Sequence, residues 1–209
     1  LVASIAGGLA MPPFLRTVPL SRASSFPADL IRPPGALREP SFLSSCVRCG
    51  QCMKVCITNG LQPTLLQAGF EGIWTPVLVP RIGPCEFRCT LCGQVCPTGA
   101  IRRLTLPEKE KVKIGMAVID RGRCLPWANG LHCVVCEEVC PTPEKAIHLR
   151  ETTWVSREGY EEQIKVPVID PERCVGCGAC EYHCPVAGKP AVYVISTGES
   201  REPDNQALL

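Results

Sequence analysis

Cys174, Cys177, Cys180 and Cys184 stand in the order C-x2-C-x2-C-x3-C, and Pro185 follows the last of them. Three thiolates two residues apart can wrap a short loop around one inorganic cube. A fourth, three residues on and followed by proline, completes the ligand run used for [4Fe–4S] clusters. The chain turns into a helix after the third cysteine, so the fourth points away and serves a second cluster. Gly176 and Gly178 let the backbone approach the cluster closely. Pro185 marks where the chain leaves the loop.

The run recurs. Cys46, Cys49, Cys52 and Cys56 have the same spacing, with Ile57 where proline would stand. Cys85, Cys89, Cys92 and Cys96 read C-x3-C-x2-C-x3-C before Pro97, and Cys124, Cys133, Cys136 and Cys140 read C-x8-C-x2-C-x3-C before Pro141. The four runs use all 16 cysteines, the number of thiolates that four [4Fe–4S] clusters need. Disulfides suit an even count in an exported chain. Cysteines two residues apart, repeated four times, make poor disulfide partners. Zinc takes four cysteines as two separated C-x2-C knuckles, not as a triplet followed by C-x3-C-P.

The rest of the composition agrees. A chain of 209 residues suffices for one large or two small domains. Aromatic residues make up only 5%, and 21 prolines with 18 glycines imply loops and turns rather than long helices. A conventional apolar core would be thin, so the clusters are expected to act as core and the apoprotein to fold poorly. The formal net charge of +2 gives no argument for nucleic acid. Four oxidised clusters, at about −2 each with their thiolates, take the holoprotein to about −6. Such a chain is expected to favour cationic surfaces on its redox partners, with reduction slowing as salt rises. The sequence contains no Ser–His–Asp set, phosphate loop or dinucleotide fingerprint.

The elements that position the cysteines follow from the pattern between the runs. Residues 1–10, LVASIAGGLA, are apolar and uncharged, but too short to span a bilayer alone. They read either as the end of a membrane helix or export signal, or as a plain N-terminus. Residues 11–45 carry repeated prolines and read as an extended strap over the surface. A short helix is expected from Glu39 into Cys46. No strand is expected directly after Cys56. A helical turn is expected at 65–68, and residues 74–80 form an apolar loop that fills core beside a cluster. Residues 98–104 predict a strand, 107–113 a solvated charged hairpin tip, and 114–120 a returning strand. Residues 146–149 and 164–170 repeat that outward and returning pair. Residues 191–195 form a last strand, and 198–209 a polar, loosely held tail. The fold class this predicts is α+β, loop-rich, with short strands and helices. It comprises two bacterial-ferredoxin-like dicluster modules over 46–195, preceded by the 1–45 strap and followed by the 196–209 tail.

At this level the span from about Pro33 to Ile195 resembles the NapG/MauM family of periplasmic ferredoxin-type proteins. The resemblance rests on Arg32-Pro33-Pro34-Gly35-Ala36, on Cys46-Val47-Arg48-Cys49-Gly50-Gln51-Cys52, on Cys96-Pro97-Thr98-Gly99-Ala100, and on the long first gap of the third run, ending in Cys133-Val134-Val135-Cys136. Ile57 departs from the family's proline, and the twin-arginine export signal is not in this chain. The resemblance implies four [4Fe–4S] clusters, electron transfer, and work outside the cytoplasm beside a membrane quinol-oxidising partner. A cytochrome or a catalytic oxidoreductase subunit is the other kind of partner expected. The chain is expected to be tethered through its N-terminus or a partner, on the periplasmic face of the cytoplasmic membrane.

Each module needs two runs that exchange their fourth cysteines. Gaps of 28, 27 and 33 residues between the runs do not choose the pairs. A hairpin of 100–104 with 114–120 would join the second and third runs, whereas 62–80 offers no strand directly after Cys56. This favours a nested arrangement, with an inner module at about 77–151 and an outer module of 46–76 with 152–195. Cys85, Cys89, Cys92 and Cys140 then hold one inner cluster, and Cys124, Cys133, Cys136 and Cys96 the other. Cys46, Cys49, Cys52 and Cys184 hold one outer cluster, and Cys174, Cys177, Cys180 and Cys56 the other.

Arg48, Arg88, Arg123 and Arg173 lie within two residues of a ligand. Each is either a charge that favours the reduced cluster or an ordinary solvated arginine. His132 and His183 precede ligand cysteines, but the four-cysteine count leaves them no place as ligands. The function expected is a non-enzymatic relay of single electrons. The alternatives are an Fe–S enzyme with a substrate-facing cluster, which would leave one iron without cysteine, and a structural Fe–S scaffold.

Overall fold

The computed structural model describes residues 27–206 apart from Arg157. Residues 1–10 and the first part of the proline-rich segment lie outside the described residues. The helices are α1 (Glu39–Ser45), α2 (Gln51–Lys54), α3 (Leu91–Gln94), α4 (Leu106–Lys111), α5 (Leu125–Asn129), α6 (Val135–Glu138) and α7 (Ala179–His183). The strands are β1 (Leu61–Pro63), β2 (Pro76–Leu78), β3 (Met116–Ile119), β4 (Ile147–Val155), β5 (Glu161–Ile169) and β6 (Val192–Ile195). This is the loop-rich α+β mixture expected. No helix among the described residues is long and apolar enough to cross a membrane.

Four of the helices serve the cysteine runs. Cys52 sits in α2, Cys92 in α3, Cys136 in α6 and Cys180 in α7, so each run turns into a helix at its third cysteine. In the first and fourth runs a glycine before the helix makes the turn from loop to helix. Gly50 has φ 73° and Gly178 has φ 80°, both in the left-handed region open to glycine.

The strands pair β1–β2, β3–β6 and β4–β5, all antiparallel. Leu61 faces Leu78, Met116 faces Ile195, and Ile147 faces Ile169. One isolated bridge joins Ala36 to Ile101. A single plan therefore occurs twice. In each half a hairpin joins the two runs: β1–β2 between the first and second, β4–β5 between the third and fourth. In each half the residues before the first of these runs pair with those after the second: Ala36 with Ile101, and β3 with β6. The modules are consecutive, covering about 30–104 and 114–196, and the nested arrangement is corrected.

Two local expectations led to nesting, and both fail for physical reasons. A strand does follow Cys56 closely: β1 lacks alternation because Leu61 is buried against β2, whose three residues are all buried. Residues 114–120 do not return as a hairpin on 98–104, because residues 106–111 form a helix and not a turn. The Thr105 N–H and hydroxyl both donate to the Glu108 carboxylate, at 2.7 and 2.8 Å, and Pro107 occupies the first turn. These devices start a helix and not a hairpin tip.

The segment before Cys46 is no surface strap over its described part. Leu30, Ile31, Arg32 and Ala36 are buried, and Phe42 of α1 is wholly so. Full burial of such a ring is worth roughly 2–3 kcal/mol. Gly35, at φ 85°, is required there: a Cβ would stand 2.6 Å from the Arg102 carbonyl oxygen and prevent the Ala36–Ile101 bridge. The tail is also tied down. Glu199 and Glu202 are each 1% exposed, and Arg201 pairs with Glu199 and with Glu39 of α1. The first polar residues of the tail are spent on ion pairs, not on solvent. The core between these elements joins Ile31, Phe42, Leu61, Leu78, Ile101, Ile147, Val192 and Val194 to cysteines of all four runs.

Candidate metal centres

Four cavities lie among the cysteine loops, and each is framed by four cysteines. The first is bounded by Cys46, Cys49, Cys52 and Cys96, with about 360 Å³ of space. The second holds Cys85, Cys89, Cys92 and Cys56, with about 420 Å³. The third run closes on Cys124, Cys133, Cys136 and Cys184, with about 390 Å³, and the fourth on Cys174, Cys177, Cys180 and Cys140, with about 320 Å³. All 16 cysteines are thiols, none disulfide-bonded. Each run lends three cysteines to its own cavity and its fourth to its neighbour's. The nested sets are corrected here too: Cys56 belongs with Cys85, Cys140 with Cys174, Cys96 with Cys46 and Cys184 with Cys124. The exchange follows the strand plan, since a fourth cysteine sits where its run hands the chain to the module's own hairpin or pairing strand.

A backbone N–H or a threonine hydroxyl reaches the sulfur of each fourth cysteine. The Sγ of Cys96 accepts a hydrogen bond from the Ile101 N–H at 3.4 Å, and that of Cys184 one from Ala191 at 3.4 Å. Cys174, the first cysteine of its run, accepts one from Ala117 at 3.4 Å. Thr58, Thr98 and Thr142 place hydroxyls 3.5, 3.8 and 3.2 Å from the Sγ of Cys56, Cys96 and Cys140. Burial works against the charged form at all three, but these hydroxyls and the N–H groups of Leu61, Ile101 and Ile147 outweigh it. The three thiols are held below their ordinary pKa. The opposite holds at other cysteines of the runs, where burial pushes Cys52, Cys92, Cys136 and Cys177 up to about 12, with neighbouring thiols adding to the rise.

The donor set suits a [4Fe–4S] cluster. Four thiols converge on a space walled by residues such as Leu61, Leu78, Ile119, Val192 and Val194, and N–H groups point at sulfur. No group of three or more His, Cys, Asp or Glu side chains among the described residues closes on a single metal ion. The spread of the thiols thus fits a polynuclear body better than one zinc ion.

The arginines beside the ligands are used structurally. Arg48 donates to the carbonyls of Ile73, at 3.0 Å, and Glu71, pinning the 71–74 loop beside the first cavity. Arg88 pairs with Glu110, and Arg173 with Glu144 and Asp170. Arg123 donates to the Lys189 carbonyl at 2.6 Å. His132 and His183 line none of the four cavities, and His183 stacks edge-on against Tyr182. The charge that does lie buried beside a ligand is Lys109 of α4. It is 3% exposed and donates to the Phe87 carbonyl at 3.3 Å. Burial pushes the Cys85 thiol up, and Lys109 is the first charge that draws it down. Lys109 was hidden in what reads as a solvated turn. The Thr105-x-x-Glu108 pattern with Pro107 is the signal that could have found its helix.

Residues 131–187 match a family model described as a 4Fe-4S dicluster domain. The match begins at Leu131, past Cys124, and spans the rest of the second module's cysteines. The chain is 37% identical to the methylamine utilization ferredoxin-type protein MauM of Methylorubrum extorquens, over 96% of this chain and 88% of the relative. It is 38% identical to the ferredoxin-type protein NapG of Escherichia coli, over 79% of this chain and 70% of that protein. MauM of Paracoccus denitrificans is 36% identical over 90% of this chain and 79% of the relative.

Proposed function

The chain belongs to the MauM and NapG family of ferredoxin-type, [4Fe–4S] electron-transfer proteins, and on that footing we propose that it carries four such clusters and relays single electrons between redox partners. The observation that carries the number is the division of all 16 cysteines into four cavities of four. A bound [4Fe–4S] cluster supplies reversible one-electron storage, at a potential set by its surroundings.

The residues of the chain do the rest. Thiolates hold each cluster at four points, so no iron is left open to a substrate; this supports a relay over a substrate-transforming enzyme. N–H groups and threonine hydroxyls aimed at sulfur stabilise the added negative charge of the reduced state. Apolar residues and prolines line part of each site.

The reading extends to place and partners. The chain works on the extracytoplasmic, periplasmic face of the cytoplasmic membrane, tethered through its N-terminus or a partner, in a membrane-associated respiratory complex. A membrane quinol-oxidising protein is one neighbour, and a cytochrome or catalytic oxidoreductase subunit the other. The apolar residues 1–10 support the tether. Iron and sulfide analysis with EPR tests the core of the reading: about 16 iron atoms per chain and only cubane-type signals are expected. About eight iron atoms, or a signal that responds to added substrate, would overturn it. Cell fractionation of the full-length protein tests the location, and recovery in the cytoplasm would overturn that part.

A further inference from the structure

The cavities are divided two and two between the modules, so a relay along the whole chain needs a crossing. The cysteine loops of different modules meet at one backbone hydrogen bond among the described residues. The Cys85 N–H donates to the Cys177 carbonyl at 2.7 Å. Cys85 opens the second run, on the cavity shared with Cys56, Cys89 and Cys92. Cys177 sits in the fourth run's loop, on the cavity shared with Cys140, Cys174 and Cys180.

The surroundings are built for close approach. Next to Cys177, Gly178 has φ 80°, and a Cβ there would stand 2.4 Å from the Cβ of Pro80. Only glycine lets the two loops come this near. One residue on, Arg81 reaches across from the first module. Its Nη1 donates to the carbonyls of Glu181, Tyr182 and Cys184 at 3.0, 3.3 and 3.2 Å, and its Nη2 to that of Val186 at 3.4 Å. The carbonyls of Glu181 and Tyr182 belong to the last turn of α7, the end that favours a cation, and those of Cys184 and Val186 follow it. The guanidinium thus fastens the fourth run to the segment that leads into Cys85.

We propose that single electrons pass between the two modules at the Cys85–Cys177 contact, and that Arg81 is the residue that positions it. The proposal rests on the four-cluster reading given above. The step moves one electron: the site on one side is oxidised by one as the other is reduced by one. No bond forms or breaks and no proton moves. The spatial order of sites then differs from the order in the chain. It runs from the first run's cavity to the second, across to the fourth, and ends at the third. The Cys46–Cys96 and Cys124–Cys184 cavities are left as the two termini at which partners deliver and collect the electron.

The test uses the full-length holoprotein with Arg81→Ala and Arg81→Met. Lys145→Ala serves as control, because Lys145 also donates to carbonyls beside a run, those of Glu138 and Cys140, but within one module. The readouts are iron content, spin–spin coupling in EPR, and electron equilibration after rapid partial reduction. Both junction variants are expected to keep their iron and the couplings within each module, and to lose coupling and fast equilibration between modules. The control is expected to keep both. Unchanged between-module coupling in loaded variants, or the same loss in Lys145→Ala, overturns the proposal. Should the variants fail to load, pulsed dipolar EPR of the partly reduced wild-type protein decides. A shortest between-module distance comparable to those within modules supports the crossing, and one much longer overturns it. Iron content reports on the four-cluster reading and coupling on the crossing, so the two can fail separately.

Discussion

Nη1 of Arg201 lies 2.8 Å from Oε2 of Glu39, joining the tail that follows the second module to the helix that opens the first. The same carboxylate takes Arg32, which is 0% exposed and lies over the Phe42 ring. The Glu39 N–H in turn donates to Glu202 at 2.6 Å. The Glu39 carboxyl thus bridges two enclosed guanidinium groups, Arg32 and Arg201, and Arg201 is shared with Glu199.

Glu39→Ala is therefore expected to destabilise the holoprotein by about 3–5 kcal/mol, the cost of leaving buried charge without its partner. Chemical denaturation of the loaded protein checks this, and a loss below about 1 kcal/mol would show the pair to be solvated. Burial works against the Glu39 carboxylate, but Arg32 and Arg201 hold its pKa below the ordinary value. A depressed carboxyl stabilises the fold above its unfolded pKa and loses that contribution as pH falls through the folded one. The contact between tail and helix should accordingly loosen in acid, read as earlier proteolysis near Arg201.

The exchange of fourth cysteines gives a second expectation. Cys56→Ser is expected to alter the same EPR signal as Cys89→Ser and to leave that of Cys49→Ser alone. Cys184→Ser should likewise act with Cys133→Ser. Serine keeps an oxygen donor, so the cluster shifts in signal rather than being lost outright. A Cys56→Ser variant that altered the fourth run's signal would restore the nested arrangement.

That arrangement shows what the sequence could and could not reveal. The cysteine runs, their turn into helices and the α+β class were legible, because ligand spacing and glycine placement are local. The partners of the fourth cysteines were not. They depend on which strands meet, and the decisive pair in the first module, Ala36 with Ile101, is a single bridge with no periodicity. β1 and β2 have three residues each, too few for alternation to appear. Lys109 and the tail were misread for one reason. A charged residue in a polar stretch looks solvated until its partner, here Phe87 or Glu39, is brought in from elsewhere in the chain.

The thiol environments predict how pH acts on loading. Burial pushes Cys52, Cys92, Cys136 and Cys177 up to about 12, so these groups are protonated at neutral pH in the metal-free fold. Iron binds the thiolate and must displace those protons. Loading should release protons, and iron retention should fall as the pH is lowered. Because Cys52, Cys92 and Cys136 form part of the core, removing iron is also expected to abolish cooperative melting. A metal-free chain with a sharp transition would contradict this, as would iron retention indifferent to acid.

Lys109 offers the most direct control of one site's potential. Its ammonium is enclosed, held by the Phe87 carbonyl at 3.3 Å and lying 5.7 Å from the Phe87 ring centre, beside the Cys85 thiol. The reduced site carries one more negative charge than the oxidised site, so a fixed cation favours reduction and raises the potential. At an effective dielectric near 20, a charge in such a place is worth on the order of 1–3 kcal/mol. That corresponds to roughly 40–130 mV for one electron. Lys109→Met keeps the apolar stem and removes the charge, and should lower the potential of the Cys56–Cys85–Cys89–Cys92 site alone. Lys109→Arg should largely preserve it, and Lys111→Met, on the exposed side of α4, should change nothing. EPR-monitored redox titration of the loaded variants reads all three. Equal potentials in the wild type and Lys109→Met would remove Lys109 from the tuning of that site.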